Sequence, residues 1–204
     1  MCGLRITVRG RPRPRDVLFL ANHVTWTDIL VLGGITETAF VAKDEIAGWN
    51  IVGWLARQAR TIFIAREQRS AVRGQAETLR DALATGHAAA FFPEGTTGDG
   101  VTLRAFRPSL LAALYPPPRA IRVQPVAIDY GVEAREVAWG RAEHAGKAAL
   151  RLLNMSGQRQ VTLSFLDPLD PADFPDRKAL AGAVRERLAH ALRIDASAAP
   201  ETET

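Results

Sequence analysis

The chain is poor in cysteine: Cys2 is its only one. That excludes an intramolecular disulfide framework and fits a reducing compartment. Its place beside the N-terminus argues against a thiol nucleophile and for an inert free thiol. No apolar run approaches the roughly 20 residues of a membrane-spanning helix, and the first arginines lead into no apolar stretch of signal-peptide length. These absences point to an intracellular protein, either soluble or attached to a membrane surface. Lysine is scarce as well, 3 against 23 arginines, which with the abundant alanine suggests a GC-rich bacterial genome. No G-x-S-x-G occurs, so a nucleophile elbow is excluded. The glycines of "GRAEHAGKA" and "GTTGDG" are wrongly spaced for a P-loop or a dinucleotide fingerprint. His87, His144 and His190 have no second ligand at a metal-like spacing, so no metal site is expected.

What is present is an ordinary globular composition, 47% hydrophobic and 24% charged over 204 residues, enough for one domain with a full core. The net charge of +4 is unevenly spread. Arg5, Arg9, Arg11, Arg13 and Arg15 all precede the first acid, Asp16, and Arg57, Arg60, Arg66, Arg69 and Arg73 form a second cluster. Such clusters serve as a solvated face, an anionic membrane contact or a site for phosphorylated ligands. Nucleic acid is not expected as a partner, because no aromatic-interleaved basic strand, zinc spacing or recognition-helix pattern accompanies them.

Strand and helix signals alternate. "LRITVRG" (4–10) alternates like a strand, and "VLFLANH" (17–23) is a continuous apolar run of the kind buried on both faces of a sheet. "TWTDILVLGG" (25–34) has helical character with Gly33 and Gly34 as its stop. Short strands are expected within 38–46 and 60–66, a helix over 70–87 ended by Gly86, and a buried strand in "AAAFFPEG" (88–95). A short helix over 107–118 precedes the strand "AIRVQPVAIDYG" (120–131), where Pro125 argues for an edge, a bulge or a strand end. A helix within 140–154, a strand at 159–166 and a helix at 176–193 complete the pattern. This is an α/β domain with a largely parallel or mixed central sheet flanked by helices. It is expected over 1–194, with 195–204 as a disordered tail.

"NHVTWTD" places His23 and Asp28 five positions apart. Within one helix they would diverge by about 140° and could not meet. They meet if His23 ends the strand and Asp28 stands in the first turn of the next helix, with Thr25 or Thr27 as N-cap. There the helix dipole favours a carboxylate. Asp28 could accept from one ring nitrogen of His23 and leave the other to deprotonate a hydroxyl. Strand ends also deliver Arg66 and, between rigid Pro93 and flexible Gly95, Glu94. Sheet edges of this kind are where α/β proteins build sites, although an ordinary strand-to-loop turn suits the same residues.

The stretches NHVTWTD, IFIAR, FFPEGTT and VQPVAI, in this order, resemble the four motif blocks of the glycerolipid acyltransferases, such as the 1-acyl-glycerol-3-phosphate (lysophosphatidate) acyltransferases. The likeness spans residues 15 to 130. It implies transfer of an acyl group from an acyl-carrier-protein or acyl-CoA thioester to a lysolipid hydroxyl, with no metal or organic cofactor. It also implies His23 as general base and Asp28 as its orienting partner. Arg66, Glu94, Gly95, Thr96 and Thr97 would lie on the acceptor's head group, and Pro125 on the acyl-donor side. Phosphate-binding members often carry Arg where Thr97 stands, which brings in a lyso-ornithine lipid beside lysophosphatidate as acceptor, with Arg104 and Arg107 as substitute cations. Members often carry N-terminal membrane helices too. Attachment to the cytoplasmic face of a bacterial inner membrane is therefore expected to be peripheral, unless a membrane segment precedes Met1. In "EIAGWNIVGWLARQAR" (45–60) the tryptophans and arginines suit core packing, a bilayer interface or the donor's path. A non-catalytic lipid-binding protein and an acyl hydrolase are the rival classes.

Overall fold

A computed structural model describes residues 3–43, 62–64, 68–117, 120–140, 143 and 145–194. The expected tail at 195–204, the tryptophan-containing stretch 45–60 and Arg66 lie outside these residues. The strands are β1 (Gly3–Arg9), β2 (Val17–Ala21), β3 (Ala39–Lys43), β4 (Ile62–Ile64), β5 (Ala89–Phe91), β6 (Arg122–Asp129) and β7 (Gln158–Phe165). The helices are α1 (Thr27–Thr36), α2 (Gln68–Ala84), α3 (Ala134–Val137), α4 (Ala145–Asn154) and α5 (Arg177–Leu192), and a 3-10 turn spans Leu110–Leu114.

The strands form one mixed sheet in the order β1-β7-β6-β2-β5-β3-β4. β2 lies parallel between β5 and β6, with β3 and β4 continuing in parallel beyond β5. β7 runs antiparallel to β6, and β1 is parallel to β7. The central place of β2 explains its unbroken apolar run, since both faces are covered. Leu18 and Leu20 pack with Leu79 and Leu83 of α2 and with Leu180, Val184 and Leu188 of α5. Val17, Phe19 and Ala21 point the other way, into a cluster with Val31 and Leu32 of α1, Val137 of α3 and Leu152 of α4. All five residues of β2 are 0% exposed.

Two sequence expectations need correction. α1 runs through Gly33 and Gly34 and stops at Glu37, whose left-handed backbone (φ 51) sends its amide back to the Gly33 carbonyl. Glycine weakens a helix by only about 1 kcal/mol relative to alanine, and Phe40 packs 3.0 Å from where a Gly33 side chain would begin, so burial outweighs propensity there. Pro125 sits in an interior strand, not at a sheet edge. It is paired with Leu20 on the β2 side and lies just before the β6–β7 ladder, which starts at Val126. Its carbonyl accepts from the Leu166 amide. The Leu166 carbonyl, which an amide at 125 would have met, instead accepts from the Gln124 side chain at 3.0 Å. Gln124 is 2% exposed. It also donates to the Arg11 carbonyl and accepts from the Arg13 amide, so one buried side-chain amide replaces the missing ladder donor and pins the β1–β2 connection.

Candidate active site

The site forms where β2 ends at the carboxyl edge of the sheet. Asn22, one residue past β2, continues the pairing with its side chain. Its Nδ2 donates to the Ile128 carbonyl at 2.9 Å, and its Oδ1 accepts from the Ile128 amide at 2.8 Å. This fixes the chain just before His23. The His23 amide then donates to Glu94 Oε1 at 2.9 Å, and its carbonyl accepts from the Gly98 amide at 2.7 Å. The ring stacks on Phe92, with centroids 4.0 Å apart and planes 12° apart, and Phe92 stacks in turn on Phe40.

His23 and Asp28 meet as the spacing requires, at 2.8 Å between Nδ1 and Oδ2. The His23 side chain is 13% exposed and that of Asp28 0%. With Nδ1 carrying the proton donated to the carboxylate, Nε2 holds the lone pair. The N-cap expectation does not hold. Trp26 occupies that position and no side chain caps the helix, so neither Thr25 nor Thr27 serves. Asp28 reaches backwards instead, its Oδ2 accepting from the amides of Val24 at 2.7 Å and Thr25 at 2.9 Å. Those amides stand free because the strand has ended and the helix has not begun. Asp28 Oδ1 accepts from the Tyr130 hydroxyl at 2.7 Å, and Tyr130 is also 2.9 Å from Thr27 Oγ1. Burial, and then the charge of Asp28, raise the Tyr130 hydroxyl well above its ordinary range, so it stays a donor.

Glu94 follows β5 and is 3% exposed. Its carboxyl spans two segments, taking the His23 amide on Oε1 and the Arg104 amide on Oε2 at 3.0 Å. Burial raises its pKa above the ordinary value of 4.5, against the lowering effect of those amides. Glu94 therefore braces the backbone of His23, and both its oxygens are engaged within the protein. Gly95 adopts φ +71, and the Arg107 side chain lies 3.4 Å from where a Gly95 Cβ would stand. Thr96 is half-buried in the same loop. Thr97 is 8% exposed and donates its hydroxyl to the Trp139 carbonyl at 2.8 Å, while the Trp139 amide donates to the Val24 carbonyl. Pro125 is buried in β6 beside Leu20, three residues before His23 in the neighbouring strand.

The structure thus brings together His23, Asp28, Glu94 and the Gly95–Gly98 loop. Sequence reasoning did not find Asn22 or Tyr130 as supports of the site, and it named Thr27 only as a helix cap, not as a partner of Tyr130. Asn22 stood inside a motif already singled out, and a polar residue directly after a buried strand was its signal. Tyr130, 102 positions from Asp28, carried no local signal.

Comparison with known proteins bears on this geometry. The family model described as Acyltransferase matches residues 5–129. The chain is 39% identical over 187 residues to a lyso-ornithine lipid O-acyltransferase of Rhodobacter capsulatus, across 89% of this chain and 67% of that protein. It is 29% identical over 206 residues to a 1-acyl-sn-glycerol-3-phosphate acyltransferase of Neisseria gonorrhoeae, across 93% and 76%. Among solved structures, the 1-acyl-sn-glycerophosphate (LPA) acyltransferase PlsC of Thermotoga maritima is similar, with a TM-score of 0.66 and 27% identity over 92% of this chain and 70% of that one.

Proposed function

The chain belongs to the acyltransferase family, and on that premise we propose that it transfers a fatty acyl group from an acyl-carrier-protein or acyl-CoA thioester to the free hydroxyl of a lysolipid. The observation that carries the reading is the 2.8 Å bond between His23 Nδ1 and Asp28 Oδ2 at the open edge of the sheet. With the Nδ1 proton given to the carboxylate, it leaves the lone pair on Nε2 for a reactant. Nε2 takes the proton of the acceptor hydroxyl as the alcohol oxygen bonds to the thioester carbonyl carbon. The tetrahedral intermediate then collapses, the carbon–sulfur bond breaks, and the imidazolium returns its proton to the departing thiolate. An ester and a free thiol result. Because a thioester is already activated, a general base worth about 10²–10⁴ in rate, together with positioning, carries much of the step. The step asks for no metal or organic cofactor.

The acceptor is argued from its head group. The relative of Rhodobacter capsulatus and one of Pseudomonas aeruginosa, 35% identical over 191 residues, are both named for lyso-ornithine lipid, and the glycerophosphate-type relative of Neisseria gonorrhoeae is 29% identical. Thr97 stands where phosphate binding would favour a guanidinium, and its hydroxyl is held by Trp139. Lyso-ornithine lipid is therefore the first acceptor to try, with lysophosphatidate second. Among the described residues no helix is long and apolar enough to cross a membrane. A peripheral seat on an anionic cytoplasmic leaflet is the attachment that fits a lipid acceptor and this basic chain.

The experiment supplies labelled acyl-carrier-protein thioester and acyl-CoA with each lysolipid, using wild type and His23→Ala. The expected result is ester formation on lyso-ornithine lipid, reduced at least about 10²-fold in the variant. Ester formation undiminished in His23→Ala would remove the dyad from the mechanism. Free fatty acid without a lysolipid would point to hydrolysis.

A further inference from the structure

The bond between Tyr130 and Thr27 has a direction that the proton count decides. Tyr130 owns one hydroxyl proton and gives it to Asp28 Oδ1 at 2.7 Å. The 2.9 Å contact between the two hydroxyls must then be donated by Thr27. The result is a directed chain, Thr27 to Tyr130 to Asp28, with His23 Nδ1–H arriving on the other carboxylate oxygen. None of its outer members touches solvent appreciably: Thr27 is 4% exposed, Asp28 0% and Tyr130 3%. We propose that Tyr130, oriented by Thr27, is a positioning residue that sets the proton affinity of His23 through Asp28.

The division of donors supports this role. Oδ2 serves the His23 ring and two backbone amides, whereas Oδ1 receives the Tyr130 hydroxyl. A hydrogen bond into Oδ1 draws carboxylate charge away from the oxygen that faces the imidazole. Buried hydrogen bonds polarise one another and are little screened by water, so the effect passes along the chain. Without the tyrosine hydroxyl, more negative charge faces His23 and the imidazolium is favoured. The base then protonates at higher pH, and a smaller fraction is active below that point. Other charged groups on the segments packed against His23 are Glu94, which binds its amide, Arg104, whose amide binds Glu94, Arg107, whose side chain lies against Gly95, and Asp99, next to the Gly98 whose amide meets the His23 carbonyl. The bonds of Glu94 to the His23 and Arg104 amides involve neither Oδ1 nor the tyrosine hydroxyl, so removing that hydroxyl leaves them in place.

The kinetic half of the test rests on His23 acting as base in the proposed acyl transfer, and the spectroscopic half does not. His23 ring signals would be followed by NMR against pH in wild type, Tyr130→Phe and Thr27→Val, with a His23→Gln variant to assign them. Tyr130→Phe should move the His23 ring titration to higher pH. Thr27→Val, which leaves the tyrosine in place, should shift it in the same direction by less. The acid limb of the kcat/KM profile should move with the ring titration, with kcat lowered and the KM for lysolipid little changed. A purely structural tyrosine would lower the unfolding midpoint and leave both titrations where they are. Unchanged titration of His23 in folded Tyr130→Phe overturns the proposal, and if that variant does not fold, unchanged titration in Thr27→Val does so. If wild type transfers no acyl group, the acyl-transfer reading fails, while the NMR titration still decides the role of Tyr130.

Discussion

His23 is held at its backbone amide by Glu94, at its carbonyl by Gly98, at Nδ1 by Asp28 and across its ring face by Phe92. An imidazole constrained from four directions spends little time in other orientations, which is how positioning would contribute to rate in the proposed acyl transfer. Glu94 is the support with a testable pH signature. Its carboxyl has a raised pKa, chiefly from burial, so the folded protein binds a proton there more tightly than the unfolded chain. The associated stability is full below the ordinary 4.5 and is lost as pH rises through the raised value. Glu94→Gln lacks that titration. It also turns an amide NH₂ toward one of two backbone donors, at a cost of about 1–3 kcal/mol. Urea unfolding of both proteins between about pH 4 and pH 7 should show the advantage of wild type shrinking as pH rises. A gap that stays constant or widens would mean that Glu94 does not titrate in this way. The fall in acyl transfer should exceed what lost stability explains, because the His23 backbone is released.

At the scale of elements, the site depends on how closely the loop after β5 approaches the turn after β2. Gly100 shows this. It has φ +77, and a Cβ there would lie 2.9 Å from the Ala134 Cβ and 3.0 Å from Val24 Cγ1. Val24 follows His23, and Ala134 opens α3, so the glycine lets three segments converge beside the dyad. Gly100→Ala combines a strained backbone with an overlap against a buried turn. It should destabilise the fold by about 1–3 kcal/mol, read as a lowered urea midpoint. An unchanged midpoint would show that the loop relaxes freely. Sequence patterns located most elements here, because a continuous apolar run and a helix with leucines four apart each carry a local signal. The misplaced stop of α1 and the edge reading of Pro125, one of three beside a bulge and a strand end, have one cause. Glycine and proline were read by local preference, whereas packing against Phe40 and substitution by the Gln124 amide overrode it.

For the whole molecule, charge gives a prediction that residue contacts do not. Five arginines precede the first acid, the net charge is +4 and the calculated pI is about 9.8. β1 lies at the edge of the sheet, and Ile6 and Val8 remain 44% exposed there between Arg5, Thr7 and Arg9. Such a surface should bind vesicles containing anionic lipid more tightly than purely zwitterionic ones, each basic residue near the surface contributing about 1 kcal/mol. The difference should fall between roughly 50 and 500 mM salt as the Debye length shortens. Cosedimentation with the two vesicle types measures it. Equal, salt-independent binding would mean that charge does not bring the protein to its lipid.

The sequence by itself determined what short-range chemistry can encode. It set the periods of the strands and helices, a strand end followed five residues later by a carboxylate, and the motif order that carries the family resemblance. Tertiary structure decided which distant groups meet. β5 and β6, although remote in sequence, flank β2, and only that strand order brings Glu94 to the His23 amide, Ile128 to Asn22 and Tyr130 to Asp28. The physical reason is reach. A local pattern fixes the direction of a side chain relative to its own strand or helix, but a hydrogen bond needs its partner within about 3 Å. For residues some 70 to 106 positions apart, only the crossover connections and the packing of the two cores set that distance.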